Sequence, residues 1–240
     1  MTVTLDDIKQ AHQRIQPYIH CTPILQSRQL NKLFTCELFF KADNMQKVGA
    51  FKARGACNAL FSMTQEVLAN GVITHSSGNH GAALAWAAAM RKASCTVVMP
   101  ENAPQAKKDA VLSYGATVVY CEPTMTAREG TVTRLIEQQG ARLVHPYDDD
   151  LIIAGQGTAT LETLAQLDKP ADVLMTPVGG GGLLGGSAIV IKQSPQAGIT
   201  RVIGAEPEAA NDAWLGFRSG ARLAEFVPNT IADGLRGTVG

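Results

Sequence analysis

Val72-Ile73-Thr74-His75-Ser76-Ser77-Gly78-Asn79-His80-Gly81 runs directly into Ala82-Ala83-Leu84-Ala85-Trp86-Ala87-Ala88-Ala89-Met90. A β-branched stretch, a short polar turn and an alanine-rich run predict strand, loop and helix, with the strand over 72–75, the turn over 76–81 and the helix over 82–90. The same alternation continues downstream. Cys95 to Met99 reads as a strand, Gln105 to Tyr114 as a helix, Thr117 to Cys121 as a strand, Thr126 to Gln139 as a helix and Arg142-Leu143-Val144 as a strand. Strands alternating with helices imply parallel pairing through right-handed crossovers. A smaller lobe built on a parallel sheet is therefore expected over residues 66–146.

On the N-terminal side, Leu5, Ile8, Ala11 and Ile15 recur near a helical period behind Asp6 and Asp7, which favours a helix from about Leu5 to Gln16. Pro17 and Pro23 punctuate an extended passage, and Glu37-Leu38-Phe39-Phe40-Lys41 reads as a strand. A small-residue helix follows from Arg54 to Met63, and Gly71 ends the next one. On the C-terminal side, Val173 to Pro177 has the pattern of a buried strand, a helix opens at Leu183-Leu184, and Arg201 to Ala205 is another strand. Residues 1–65 and 147–240 together form the expected larger lobe. The fold class is α/β, with two lobes each carrying a mainly parallel twisted sheet flanked by helices. A ligand cleft belongs between them, off the carboxyl ends of the strands.

Composition narrows the function. A chain of 240 residues, 45% hydrophobic, buries a substantial core. Its 21 basic and 21 acidic residues cancel, which argues against nucleic acid or an anionic membrane as partner and favours a small molecule. The apolar run from Gly81 to Met90 is shorter than the roughly 20 residues a bilayer requires, so no membrane segment is expected. Five cysteines without C-x-x-C spacing, and an N-terminus without the pattern of a secretory signal, point to a cytoplasmic protein with free thiols.

Three stretches carry chemistry. Val48-Gly49-Ala50-Phe51-Lys52-Ala53-Arg54-Gly55-Ala56 places a lysine after a tight turn at the entry to a helix. Gly179-Gly180-Gly181-Gly182 follows a strand and precedes a helix, an arrangement that presents clustered N–H groups to an anion; a packing turn is the alternative reading. The motif is neither G-x-G-x-x-G nor a P-loop, so phosphate is indicated without a dinucleotide. The turn 76–81 has the same strand-to-helix setting and can hold a carboxylate, although Ser and Asn are also ordinary helix caps. An amine, a phosphate cradle and a carboxylate loop are the parts that pyridoxal-phosphate chemistry requires.

With these motifs goes a resemblance. His20 to Leu25, Phe39-Phe40-Lys41, Gly49 to Gly55, Ser76 to Gly81, Ala154-Gly155-Gln156-Gly157-Thr158, Pro177 to Gly182 and Ile231-Ala232-Asp233-Gly234 together resemble fold-type II pyridoxal-phosphate enzymes of the serine racemase and serine/threonine dehydratase family. The resemblance implies a tryptophan synthase β-like architecture, an amino-acid substrate, pyridoxal 5'-phosphate as cofactor and a homodimer open to a nucleotide effector. It makes Lys52 the Schiff-base lysine and the base on one face of the substrate's Cα. Phe51 lies against the cofactor ring, Asn79 bonds its 3-hydroxyl, and Gly179, Gly180, Gly181 and Gly182 hold the phosphate. Ser76, Ser77, Asn79 and His80 line the substrate-carboxylate pocket. Ser77 is the acid/base on the opposite face, or a cap hydroxyl if the enzyme is a dehydratase. Glu206, the carbonyl of Ala210 and Asp212 match the family's Mg²⁺ or Ca²⁺ loop.

His75, His80 and His145 lack an i, i+4 pairing and read as pocket or packing residues. Tyr147 is more dehydratase-like than racemase-like. Family members continue past position 240 over a tail that carries the contact to the pyridine nitrogen, so that contact has no candidate here, and a truncated chain or an incomplete larger lobe is expected. The resulting expectation is a serine racemase that also eliminates water. The alternatives are a dedicated threonine, serine or hydroxyaspartate dehydratase and a non-catalytic phosphate-ligand binding protein. A β-replacing synthase is disfavoured, because its substrate loop usually reads Thr-Ser-Gly-Asn-Thr.

Overall fold

The computed structural model describes residues 3–76, 78–195, 197–223 and 226–240. The first helix, α1 (Leu5–Ile15), is fixed at its start by a capping box: Thr4 accepts from the Asp7 amide while the Asp7 carboxylate accepts from the Thr4 amide at 2.8 Å. Ile8, Ala11 and Ile15 form its buried stripe. A two-residue antiparallel pair, β1 (Ile24–Leu25) and β2 (Phe40–Lys41), brackets α2 (Arg28–Phe34). The strand expected over 37–41 is therefore confined to its last two residues, because its partner offers only two, and α2 was not expected. Next come α3 (Lys52–Ser62) and the short α4 (Gln65–Leu68).

The expected parallel sheet follows, in the order β5-β4-β3-β6. Its strands are β3 (Val72–His75), β4 (Cys95–Pro100), β5 (Thr117–Cys121) and β6 (Arg142–Leu143), all paired in parallel. The crossovers are α5 (Asn79–Met90), α6 (Gln105–Ser113) and α7 (Met125–Gln139). Side-chain alternation decides which helix covers which face. Val72, Val97 and Met99 pack with Leu84 of α5 and Val111 of α6, whereas Ile73 and Val98 pack with Val132 and Leu135 of α7. The predicted turn 76–81 is shorter than expected: α5 begins at Asn79, so Asn79, His80 and Gly81 belong to its first turn.

The rest of the chain is organised by α8 (Asp150–Gln166), which the sequence reading did not single out as a helix. Asp149 caps it by accepting from the amides of Leu151 and Ile152. This helix packs against α1, α3 and α9 (Gly182–Gln193). Glycine makes the approach possible: a Cβ on Gly155 would lie 2.5 Å from the Gly55 Cα, and one on Gly186 2.7 Å from the Gly157 nitrogen. The parallel pair β7 (Val173–Pro177) and β8 (Arg201–Ala205) lies beside α9, followed by α10 (Asp212–Ser219). The buried-strand reading of 173–177 needs correcting. Val173 and Met175 are exposed and Thr176 is buried, since only one face of this pair is covered among the described residues. No helix among the described residues is long and apolar enough to cross a membrane.

Candidate active site

A cavity of about 370 Å³ opens where β3 and β7 end and α3, α5 and α9 begin. Phe51, Lys52, Ser76, Asn79, His80 and all four glycines of 179–182 line it, so stretches far apart in sequence meet in one place. Ser77 lies outside the described residues.

Lys52 is the first residue of α3. Its Nζ donates to the Pro146 carbonyl at 2.6 Å and sits 5.3 Å from the Phe51 ring centroid and 6.0 Å from that of Tyr147. Burial away from water disfavours the ammonium and lowers its pKa to about 8. A substantial neutral fraction is thus present near physiological pH.

The glycine run reaches the start of α9 through Gly181, whose φ of +87° suits glycine. A Cβ on Gly180 would fall 2.1 Å from the Tyr147 ring, and one on Gly182 3.1 Å from the Tyr147 carbonyl. Close packing against Tyr147 therefore requires glycine at both positions. The first amides of α9 have no intrahelical acceptors and stand at the positive end of its dipole. An anionic group fits this position.

The turn after β3 is partly self-satisfied. Ser76 Oγ accepts from the Gly78 amide at 3.1 Å. Asn79 is exposed at the cavity, while His80 is buried, with Nε2 3.3 Å from the Val144 carbonyl and Nδ1 without a partner among the described residues. His75 and His145 meet edge to face at 5.3 Å, and His145 meets Tyr147 at 4.7 Å. Burial, then the charges of His145 and Arg128, push His75 down to about 4; burial, then Lys52, holds His80 well below the usual imidazole range, and burial lowers His145. These imidazoles are neutral at pH 7.

Several residues of this region were not foreseen. Arg128 of α7 lines the cavity with its Nε buried and without a partner among the described residues. Lys107 of α6 ion-pairs with Asp233 at the cavity edge. Two residues past Lys52, Arg54 is fully buried between Asp43 and Glu162, with Lys41 also on Glu162 at 2.8 Å. Burial opposes the Arg54 charge, but bonds to both carboxylates outweigh it and raise its pKa. An arginine or lysine on a helix carries no sequence mark that separates a cavity or core position from a solvated one.

Glu206, Ala210 and Asp212 follow β8 and lead into α10, and none of them lines the cavity. Both Glu206 oxygens accept from the start of α10, from the amides of Ala213 and Trp214. Asp212 is 3% exposed, accepts from the Val239 amide at 2.7 Å and has no basic partner among the described residues. A buried carboxylate without a cation suits a divalent ion, since each oxygen keeps a further lone pair. Among the described residues, no three His, Cys, Asp or Glu side chains converge on a metal position.

The family model for pyridoxal-phosphate dependent enzymes matches residues 15–239. The chain belongs to that family. It is 51% identical over 242 residues to a serine racemase of Dictyostelium discoideum, covering 100% of this chain and 74% of the relative. To a β-hydroxyaspartate dehydratase of Paracoccus denitrificans (strain Pd 1222) it is 47% identical over 232 residues, covering 97% and 73%. The crystal structure of serine racemase from Dictyostelium discoideum superposes with a TM-score of 0.92 at 50% identity, covering 100% of this chain and 76% of that one. The fold is the α/β architecture of fold-type II pyridoxal-phosphate enzymes, and the chain is an enzyme of that class. Its amine, glycine cradle and cavity fit pyridoxal phosphate, with Lys52 and Gly179 to Gly182 as the residues that would hold it.

Proposed function

We propose that this chain is a serine racemase that also eliminates water from serine and threonine, the enamine released then taking up water to give the 2-oxo acid and ammonia. The observation that carries the reading is the Lys52 amine, lowered to about 8, in a cavity it shares with a glycine cradle and the turn at the start of α5. Pyridoxal phosphate, when bound, supplies the carbonyl that captures amines and the ring that accepts the charge freed at Cα. The chain's residues do the rest. Gly179 to Gly182 and the α9 amides would hold its phosphate, Phe51 would flank the ring, and Asn79 would donate to the 3-hydroxyl. The amides at the start of α5, with Ser76 and His80 beside them, orient the substrate carboxylate. Lys52 Nζ removes or returns the α-proton on one face, and the Ser77 hydroxyl does so on the other. Racemisation needs both faces; elimination needs Lys52 and loss of the β-hydroxyl as water.

The assignment extends to residues 66–146 as a small domain and to 1–65 with 147–240 as a large one. It includes Mg²⁺ or Ca²⁺ held by Glu206, the Ala210 carbonyl and Asp212, and a homodimer responsive to a nucleotide effector. A cytoplasmic setting accords with five cysteines that are all free. Borohydride reduction of the yellow protein should fix the cofactor to Lys52, and Ser77→Ala should abolish D-serine formation while pyruvate release persists. An adduct on another lysine, or unchanged D-serine formation by the variant, overturns the reading. Arg128 favours a second reading, a β-hydroxyaspartate dehydratase, because it lines the cavity with a cation that suits a second carboxylate. A kcat/KM for β-hydroxyaspartate far above that for serine, collapsing in Arg128→Met, would select that reading.

A further inference from the structure

The start of α5 and the turn that packs on the glycine run are linked at the cavity by one ion pair. Lys107 stands on α6, on the sheet side, and ion-pairs with Asp233. Asp233 opens a turn, Asp233–Leu235, that leans on the glycine run: a Cβ on Gly179 would lie 3.2 Å from the Gly234 carbonyl and 3.5 Å from the Leu235 Cα. On its way to Asp233, the Lys107 stem passes over Gly78, the cap of α5. A Cβ on Gly78 would meet Lys107 Cδ at 2.7 Å and Nζ at 3.0 Å. Two neighbouring cations are engaged elsewhere: Lys108 donates to the Glu101 carbonyl, and Arg236 donates twice to that of Thr230. The absence of a side chain at position 78 is thus what gives Lys107 its path.

We propose that Lys107, pinned by Asp233, is a positioning residue that presses on Gly78 and holds the start of α5 toward the cavity. The inference rests on the reading of that turn as the substrate-carboxylate site. With the two side chains 24% and 52% exposed, the pair is screened by water and contributes a bias toward this placement of the start of α5, not a lock. Such a bias is salt-dependent. It acts on substrate capture and leaves the proton transfer at Lys52 untouched, so for elimination, which needs Lys52 alone of the two bases, KM moves and kcat does not.

The test compares Lys107→Ala, Asp233→Asn, Gly78→Ala and the double variant Gly78→Ala/Lys107→Ala. Either change to the pair should raise the KM for L-serine in pyruvate release about two- to fivefold with kcat of that reaction nearly constant, and accelerate amide exchange over residues 79–82 of the cofactor-free chain by a similar factor. Added potassium chloride should bring the wild-type KM toward that of Lys107→Ala and leave the variant unmoved. Gly78→Ala should mimic Lys107→Ala and add nothing to it, since both displace the same side chain. Wild-type KM and exchange in Lys107→Ala, or multiplying effects in the double variant, overturn the proposal. A chain that takes up no pyridoxal phosphate fails the functional reading, and the exchange measurement still decides this one.

Discussion

Lys52 owes its chemistry to where α3 begins. Had the helix started two residues later, as the small-residue pattern from Arg54 implied, the amine would belong to a loop; as the helix's first residue it is held under the Pro146 carbonyl and out of water. Burial brings it to about 8 against an ordinary 10.5, so cofactor uptake, which needs the free amine, should rise with a midpoint near pH 8. Visible absorbance on mixing with pyridoxal phosphate between pH 6 and 10 measures it, and a midpoint near 10 contradicts it. The same shift sets a stability term of known sign. Between about 8 and 10.5 the unfolded chain keeps a proton that the folded chain has lost, so stability rises with pH across that window, and the penalty is complete below it. Cofactor-free Lys52→Met should therefore unfold at higher urea than wild type at pH 7, with the advantage shrinking toward pH 10.5. No advantage at pH 7 would refute the buried-amine account.

At the scale of elements, α3 and α8 are joined by both close packing and buried charge. Gly55 and Gly155 bring the helices together, and Arg54 reaches from α3 to Glu162 on α8 and to Asp43 beside β2. Arg54→Leu leaves two largely buried carboxylates without their partner and should cost about 3–5 kcal/mol of stability, read from urea unfolding. A loss below about 1 kcal/mol would mean that water or Lys41 replaces it. The crossing also explains what the sequence hid. Residues 72–143 announce their strands and helices because β-branched runs, small-residue helices and turn residues alternate there. Helix α8 does not, because it is buried on several sides and therefore shows no polar face, and Gly155 and Gly157 interrupt it for the sake of its neighbours. Similarly, Phe39 and Phe40 have strand composition, but the ladder length was set by β1, which lies elsewhere in the chain.

For the molecule as a whole, the cavity exists only because distant stretches converge, and legibility divided along that line. Lys52, Asn79 and the glycine run could be read because each sits at a recognisable strand-to-helix or turn-to-helix junction. Arg128, Lys107 and the packing of Tyr147 on Gly180 could not, because their meaning comes from what faces them across the cleft. The same convergence buries imidazoles: His75 is brought down to about 4 and His80 well below its ordinary 6.5. As pH falls below 6.5, the unfolded chain gains protons on these histidines while the folded chain does not, so stability is lost on acidification down to about 4. Each such histidine adds a slope of about 1.4 kcal/mol per pH unit. Carboxylates do not confuse the upper part of this window, since the lowered pKa values of Glu162, Asp233 and Asp7 place their own losses below the ordinary carboxylate range. Urea midpoints should therefore fall steadily from pH 6.5 to 5, and His75→Asn should remove one proton's worth of that slope. An unchanged slope in the variant, or an imidazole resonance of His75 titrating near 6.5, would show that water reaches this part of the cleft and that its histidines are not held neutral by burial.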